Sequence, residues 1–174
     1  MSMQTSKEIR STVTSDGTVE ISIVNAAVPV PSENEVLIKV EAAPINPSDL
    51  ALLISFAADL DSIELSGADE ASKTTIKIRP GLMAALKGRV DQPLSAGNEG
   101  AGIVVGAGKK ATALIGKTVG VAGGSMYSQY RCAPASSCLV MDEGITSTEA
   151  ASSFVNPLTA LAFVETMKTV SYTH

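Results

Sequence analysis

The stretch Gly97-Asn98-Glu99-Gly100-Ala101-Gly102-Ile103-Val104-Val105-Gly106 decides how the rest of the chain is read. Its glycines superficially match a dinucleotide fingerprint, in which a strand enters a glycine turn and a helix N-terminus receives the pyrophosphate. The flanks have the wrong grammar for that. Residues 91–96 carry Pro93 and small polar side chains, and Ile103-Val104-Val105 is a β-branched run that builds a strand rather than a helix. The segment reads as a glycine-punctuated strand, and phosphate binding there is set aside.

Outward from it the β pattern continues. Residues 102–105, 117–121, 127–132 and 137–141 are strand candidates, with Gly106, Gly108, Gly116, Gly120, Gly123 and Gly124 placed as the turns of a closed sheet. Toward the N-terminus, residues 9–13 and 18–24 flank the turn Ser15-Asp16-Gly17. Pro29, Pro31 and Ser32 break the chain, and residues 35–43 follow with Val36, Ile38 and Val40 on one face and Lys39 and Glu41 on the other. That alternation marks a half-buried strand.

Helices are few. Asn46-Pro47-Ser48-Asp49 is a helix start: Asn caps, Pro fits the first position, and Asp favours the positive end of the dipole. Residues 50–56 form the short apolar helix behind it. Residues 57–91 are the least regular stretch, acidic in front, with a strand expected at 74–78 and a short helix at 80–86; they read as an excursion within one domain. Thr146-Ser147-Thr148-Glu149 has capping-box spacing, and Asn156-Pro157 repeats the cap-then-proline order before a second helix over 158–168.

Composition narrows the function classes. The 174 residues are 45% hydrophobic but only 3% aromatic, with no Trp, so small aliphatic side chains fill the core, as suits a thin barrel or sandwich. A net charge of −5, with no basic cluster beyond Lys109-Lys110, argues against nucleic acid, whose binding begins with phosphate neutralisation. The N-terminal residues lack the apolar run of a signal peptide, and residues 150–164 are too short to span a bilayer. With 2 cysteines there is no disulfide scaffold, so Cys132 and Cys138 read as unpaired thiols and a reducing cytoplasm is expected. The 1 histidine is the terminal His174, and zinc needs several Cys, His or carboxylate ligands, so no metal is expected.

Taken in order, the strand before Asn46-Pro47-Ser48-Asp49, then Gly97-Asn98-Glu99-Gly100-Ala101-Gly102, Gly116-Lys117-Thr118-Val119-Gly120, Tyr127-Ser128-Gln129-Tyr130 and Asn156-Pro157-Leu158-Thr159-Ala160, resemble the medium-chain dehydrogenase/reductases. The resemblance covers residues 8–168 and is strongest to the zinc-independent NADPH:quinone oxidoreductases and the related 2-enoyl thioester reductases. It implies a β-rich α+β fold: a GroES-like, partly open β-barrel with short peripheral helices over residues 1–146, then a helical linker over 147–174 that normally leads into a Rossmann domain.

It also implies chemistry. In zinc-dependent members a Cys stands where Ser48 stands and a His where Asn98 stands, so Lewis-acid polarisation is replaced by hydrogen bonding from Asn, Tyr and backbone amides to a developing oxyanion. That suits an acceptor which delocalises charge itself, a quinone or an α,β-unsaturated carbonyl reduced by hydride from NADPH. Asn46 is implied to lie beside the nicotinamide or substrate, Tyr127 to face the cleft, Thr159 to hydrogen-bond the carboxamide, and Glu99 to be buried beneath the site. For Asn46 the other reading is a plain cap, and for Tyr127 an ordinary barrel tyrosine. Two departures stand out: the family's Asn-Tyr-Gly loop is replaced by residues 57–91, and after Thr169-Val170-Ser171-Tyr172-Thr173-His174 no Rossmann strand and turn follow. The expected function is thus the substrate side of a reductase, without turnover by these residues alone. A binding or homo-oligomerisation module derived from the barrel is the alternative.

Overall fold

The computed structural model describes residues 5–170. Along the chain the elements are β1 (Thr5–Val13), β2 (Thr18–Ala27), β3 (Glu35–Ala42), α1 (Pro47–Leu53), β4 (Glu64–Ser66), β5 (Lys73–Lys77), β6 (Leu94–Ser95), β7 (Glu99–Ala107), β8 (Thr118–Ala122), β9 (Tyr130–Pro134), β10 (Cys138–Val140), α2 (Ser147–Ala150) and α3 (Val155–Val170), joined in places by short 3-10 turns. Strands dominate, as the composition predicts. They form two five-stranded sheets, ordered β4-β5-β2-β1-β6 and β10-β8-β7-β3-β9. The chain divides into two compact units: residues up to Pro29 with Ile45–Asn98 and Gly124–Arg131, and Val30–Pro44 with Glu99–Gly123 and the chain from Cys132 onward.

The first unit is built on the β1–β2 hairpin, antiparallel in continuous register from Thr5↔Ala27 to Val13↔Val19. Gly17, at φ +87, closes the turn in the left-handed region that glycine enters without a Cβ clash. β5 adds to the outer side of β2, from Thr18↔Lys77 to Ser22↔Lys73. Val13 and Val19 bury completely against Ala57, Ile78 and Leu86. Residues 57–91 therefore furnish part of this core, each large aliphatic side chain there contributing about 1.5–3 kcal/mol of burial. The expected short helix at 80–86 is a 3-10 segment over Met83–Arg89.

In the second unit β3 shows the alternation its sequence predicts: Val36 and Ile38 are fully buried while Lys39 and Glu41 are exposed. β3 and β7 pair antiparallel with irregularities between Leu37 and Ile38 and between Val40 and Ala42. Gly102 sits at this crowded place. A Cβ there would run into the Lys39 carbonyl oxygen and stand 2.8 Å from its carbon and 2.9 Å from Val40 Cα. α2 begins as expected, with Thr146 accepting from the Glu149 amide at 3.3 Å and the Glu149 carboxylate accepting from the Thr146 amide at 2.9 Å. Ala101, Ala150 and Ala151 pack together beneath it.

Several boundaries differ from the sequence pattern, and α1 ends at Leu53, short of the expected residue 56. The strand expected over 127–132 starts only at Tyr130, because Gly123, Gly124 and Ser125 turn the chain at positive φ and the amides of Met126 and Tyr127 bond the carbonyls of Gly97 and Ala96. The last helix begins at Val155 rather than behind an Asn156 cap, so Pro157 falls in its first turn, where a missing N–H leaves no bond unmade.

Gly102→Ala is expected to destabilise the chain by about 1–3 kcal/mol, the usual cost of overpacking, with β3 and β7 losing protection first. Urea unfolding and amide hydrogen exchange measure this.

Candidate functional site

Asn-Pro-Ser-Asp does in the structure what its local chemistry requires, and more. Asn46 is the N-cap of α1 in an extended conformation, φ −93 and ψ 156, with Pro47 at the first position. Its amide donates to Asp49 Oδ2 at 2.8 Å. Asp49 Oδ1 accepts the backbone amide of Asn98 at 2.7 Å, a partner 49 residues away in sequence. Asp49 is 0% exposed and Asn46 3%. A carboxylate so deeply buried must be met by donors, and here backbone amides from two segments meet it.

A third segment closes on the same group. Tyr127 hydrogen-bonds the Asp49 side chain. Its own backbone is held by Tyr127 N–H to Ala96 at 3.0 Å and by the Ile9 amide donating to the Tyr127 carbonyl at 2.9 Å. Gly97, at φ +94, lets the ring lie close: a Cβ there would stand 2.6 Å from Tyr127 N and 2.7 Å from ring Cδ1. Burial pushes the Tyr127 phenol up to about 12, and the neighbouring Asp49 charge and hydrogen bond push in the same direction. Beside this cluster, the exposed Ser48 hydroxyl accepts from Asn98 Nδ2 at 2.9 Å.

The first unit thus brings together Asn46, Ser48, Asp49, Asn98 and Tyr127. Sequence reasoning named Asn46 and Tyr127 and treated Asp49 only as a dipole partner; its reach to Asn98 and Tyr127 is a tertiary fact. A hint was available in the acid at the third helical position, since capping-box chemistry turns such a side chain back toward the cap.

Glu99 and Thr159 lie in the second unit. Glu99 is 0% exposed, and its Oε2 accepts the amides of Phe154 at 2.8 Å and Val155 at 3.0 Å. It is an anion on the first amides of α3, where the helix dipole favours one. Thr159 is exposed and its hydroxyl donates to the Val155 carbonyl at 2.7 Å, so the outward lone pairs of Oγ1 can accept a hydrogen bond. From Asn156 to Thr169 every residue of α3 is exposed, Phe163 at 68% and Met167 at 69% among them. Among the described residues, no helix is long and apolar enough to cross a membrane, and no group of three or more His, Cys, Asp or Glu side chains is placed to hold a metal.

This arrangement of strands is that of a GroES-like domain of the alcohol dehydrogenase kind. The profile of the alcohol dehydrogenase GroES-like domain matches residues 32–148, about two thirds of the chain, and the chain belongs to that family. Among solved structures, a protein from Mesorhizobium loti described as an NADPH:quinone reductase is 26% identical, with a TM-score of 0.62, covering 97% of this chain and 46% of that one. The quinone oxidoreductase of Coxiella burnetii is 22% identical, with a TM-score of 0.63, covering 94% of this chain and 45% of that one. A mycobacterial protein complexed with NADPH is 24% identical, with a TM-score of 0.59, covering 89% and 38% respectively. The latter two likenesses bear on the fold alone. The chain spans less than half the length of each of these structures. A search of the curated proteins gave no match.

Two outcomes follow from this geometry. The folded-state pKa of Tyr127 stands above its ordinary value of 10.0, at about 12. Between those values the unfolded chain releases a proton that the folded chain keeps, so stability falls as pH rises through that window and is untouched by this group below it. Tyr127→Phe should lack that fall, read by denaturant unfolding at stepped alkaline pH. Glu99→Ala should cost about 1–3 kcal/mol by leaving the half-buried amides of Phe154 and Val155 without their acceptor, and circular dichroism should show α3 fraying.

Proposed function

We propose that this chain provides the acceptor side of a zinc-independent, NADPH-dependent reductase site, acting on a quinone or an α,β-unsaturated carbonyl. The observation that carries the reading is the Ser48–Asn98 hydrogen bond at 2.9 Å. These positions correspond to two metal-ligand positions of zinc-dependent members, and here a hydroxyl and an amide bond each other. With no Lewis acid in such a site, an acceptor that spreads the incoming negative charge over its own π-system is the natural substrate class. Membership of the GroES-like family and the 26% identity to the Mesorhizobium loti protein support the oxidoreductase kind. The description of that protein as an NADPH:quinone reductase supports the cofactor.

In this reading Tyr127, supported by Asn46, acts at the acceptor, and Thr159 is a hydrogen-bond partner for the nicotinamide. The exposed Thr159 Oγ1, with its proton already donated along the helix, fits the N–H of a carboxamide. Asn46 works from a buried position, so its role is to fix the first turn of α1 and the amides around it. A bound NADPH supplies the hydride; the residues described here orient the acceptor and exclude water from it. Residues 1–146 serve as the substrate-side domain, with 57–91 an excursion in it, and 147–174 as a linker helix. A reducing, cytoplasmic setting suits Cys132 and Cys138, neither of which is disulfide-bonded.

Amide chemical-shift mapping with duroquinone, a fully substituted quinone, tests the acceptor side. Shifts at residues 46, 48, 49, 97, 98 and 127 are expected, and shifts confined to other residues overturn the reading. The 174 residues by themselves should bind NADPH only weakly and not oxidise it with a simple quinone, because nicotinamide cofactors of such enzymes are held mainly by a nucleotide domain. Micromolar affinity by NADPH fluorescence contradicts that expectation.

A second reading rests on α3. Its exposed Leu158, Leu161, Phe163, Val164 and Met167 suit association with another chain. Light scattering coupled to size exclusion discriminates: a strictly monomeric, well-folded chain argues against an association module.

A further inference from the structure

Both Asp49 oxygens are already engaged by backbone amides, Oδ1 by Asn98 and Oδ2 by Asn46, and the carboxylate is sealed from solvent. A carboxylate in that role has only lone pairs to offer, so the Tyr127 phenol bonded to it is the donor. The ring is seated against Gly97, whose missing Cβ makes the room that Cδ1 occupies. The Tyr127 proton is therefore committed to Asp49, and lone pairs are what its oxygen can offer a ligand. At Ser48 the opposite holds: Oγ accepts from Asn98 Nδ2, which leaves the hydroxyl proton of an exposed side chain to be donated elsewhere. Both polarities trace to one group, since the same Asp49 carboxylate also pins the backbone of Asn98.

We propose that Asp49 is the positioning residue of the site: it turns the Tyr127 proton inward, so that Tyr127 meets a ligand as a hydrogen-bond acceptor, and leaves the Ser48 hydroxyl as the donor to an acceptor oxygen. The proposal rests on the reading of this cluster as the acceptor side of a reductase. It deepens that reading by assigning the oxyanion donor to Ser48 and giving Tyr127 to a ligand hydroxyl, such as that of a hydroquinone product. The high Tyr127 pKa agrees with a phenol that donates to a carboxylate. Other charges near this segment are Arg131, on the segment itself, and on β1, which bridges to it through Glu8 and Ser128, Lys7 and the paired Glu8 and Arg10. Glu8 is answered by Arg10, which leaves Asp49 as the anion that the phenol hydrogen-bonds.

The test is proton and carbon NMR of the full chain with its tyrosines labelled at Cζ. The Tyr127 hydroxyl should give a slowly exchanging, downfield-shifted proton resonance, assigned by its loss in Tyr127→Phe. In Asp49→Asn that resonance should move upfield or vanish into exchange, and the Tyr127 Cζ should titrate nearer to 10 than to 12, while the other tyrosines are unmoved. An unchanged Tyr127 resonance in a folded Asp49→Asn variant overturns the proposal. Where Asp49→Asn does not fold, the parent and Tyr127→Phe still decide it, because an ordinary, fast-exchanging Tyr127 hydroxyl in the parent overturns it equally. None of these signals requires a ligand, so a failure of quinone binding contradicts the reductase reading without being mistaken for a failure of the Asp49–Tyr127 arrangement. With bound duroquinone, the carbonyl stretch should rise by several wavenumbers on Ser48→Ala and stay put on Tyr127→Phe; the reverse pattern overturns the assignment of donor and acceptor.

Discussion

A buried carboxylate is tolerated only when donors surround it, and that constraint organises both halves of this molecule. Asp49 gathers the amides of Asn46 and Asn98 and the phenol of Tyr127, tying the start of α1 to two segments distant in sequence. Glu99 gathers the amides of Phe154 and Val155 and anchors the start of α3. Asn98 and Glu99 are adjacent in the chain, and they fall in different units. Removing either acid would leave its donors without the acceptor they are aligned to, so each acts as a fastener more than as a source of attraction.

Glycine makes the close approaches around these fasteners. At Gly97 a positive φ and the Tyr127 ring leave no space for a side chain, and at Gly102 the Lys39 carbonyl does the same. The motif that first suggested a phosphate loop is thus a strand whose glycines answer to packing. Its neighbours Ile103, Val104 and Val105 lie in β7, where the β-branched pattern placed them.

Much of the local structure was legible from period and capping. The alternation of Val36, Ile38 and Val40 against Lys39 and Glu41, the Ser15-Asp16-Gly17 turn and the Thr146–Glu149 box each depend on residues close in sequence, and each stands as the pattern implied. The site was legible in part. Asn46 was recognised as a cap and Tyr127 as a tyrosine of the site, but the carboxylate joining them was not. The start of α3 was misplaced for the same kind of reason: Asn156-Pro157 looks like a cap locally, whereas the acceptor for the leading amides is Glu99, from another strand.

The residues alone determined where strands and helix starts fall, because hydrophobic alternation, proline and capping act over a few positions. They also determined a chain with 1 His and 2 Cys and with no basic cluster beyond Lys109-Lys110. The tertiary structure decided which acids become buried hubs, which hydroxyl donates outward and which accepts, and which glycines are irreplaceable. Those properties depend on partners brought together from far along the chain, and nothing in the local spacing of Asp49, Asn98 and Tyr127 encodes the geometry by which they meet.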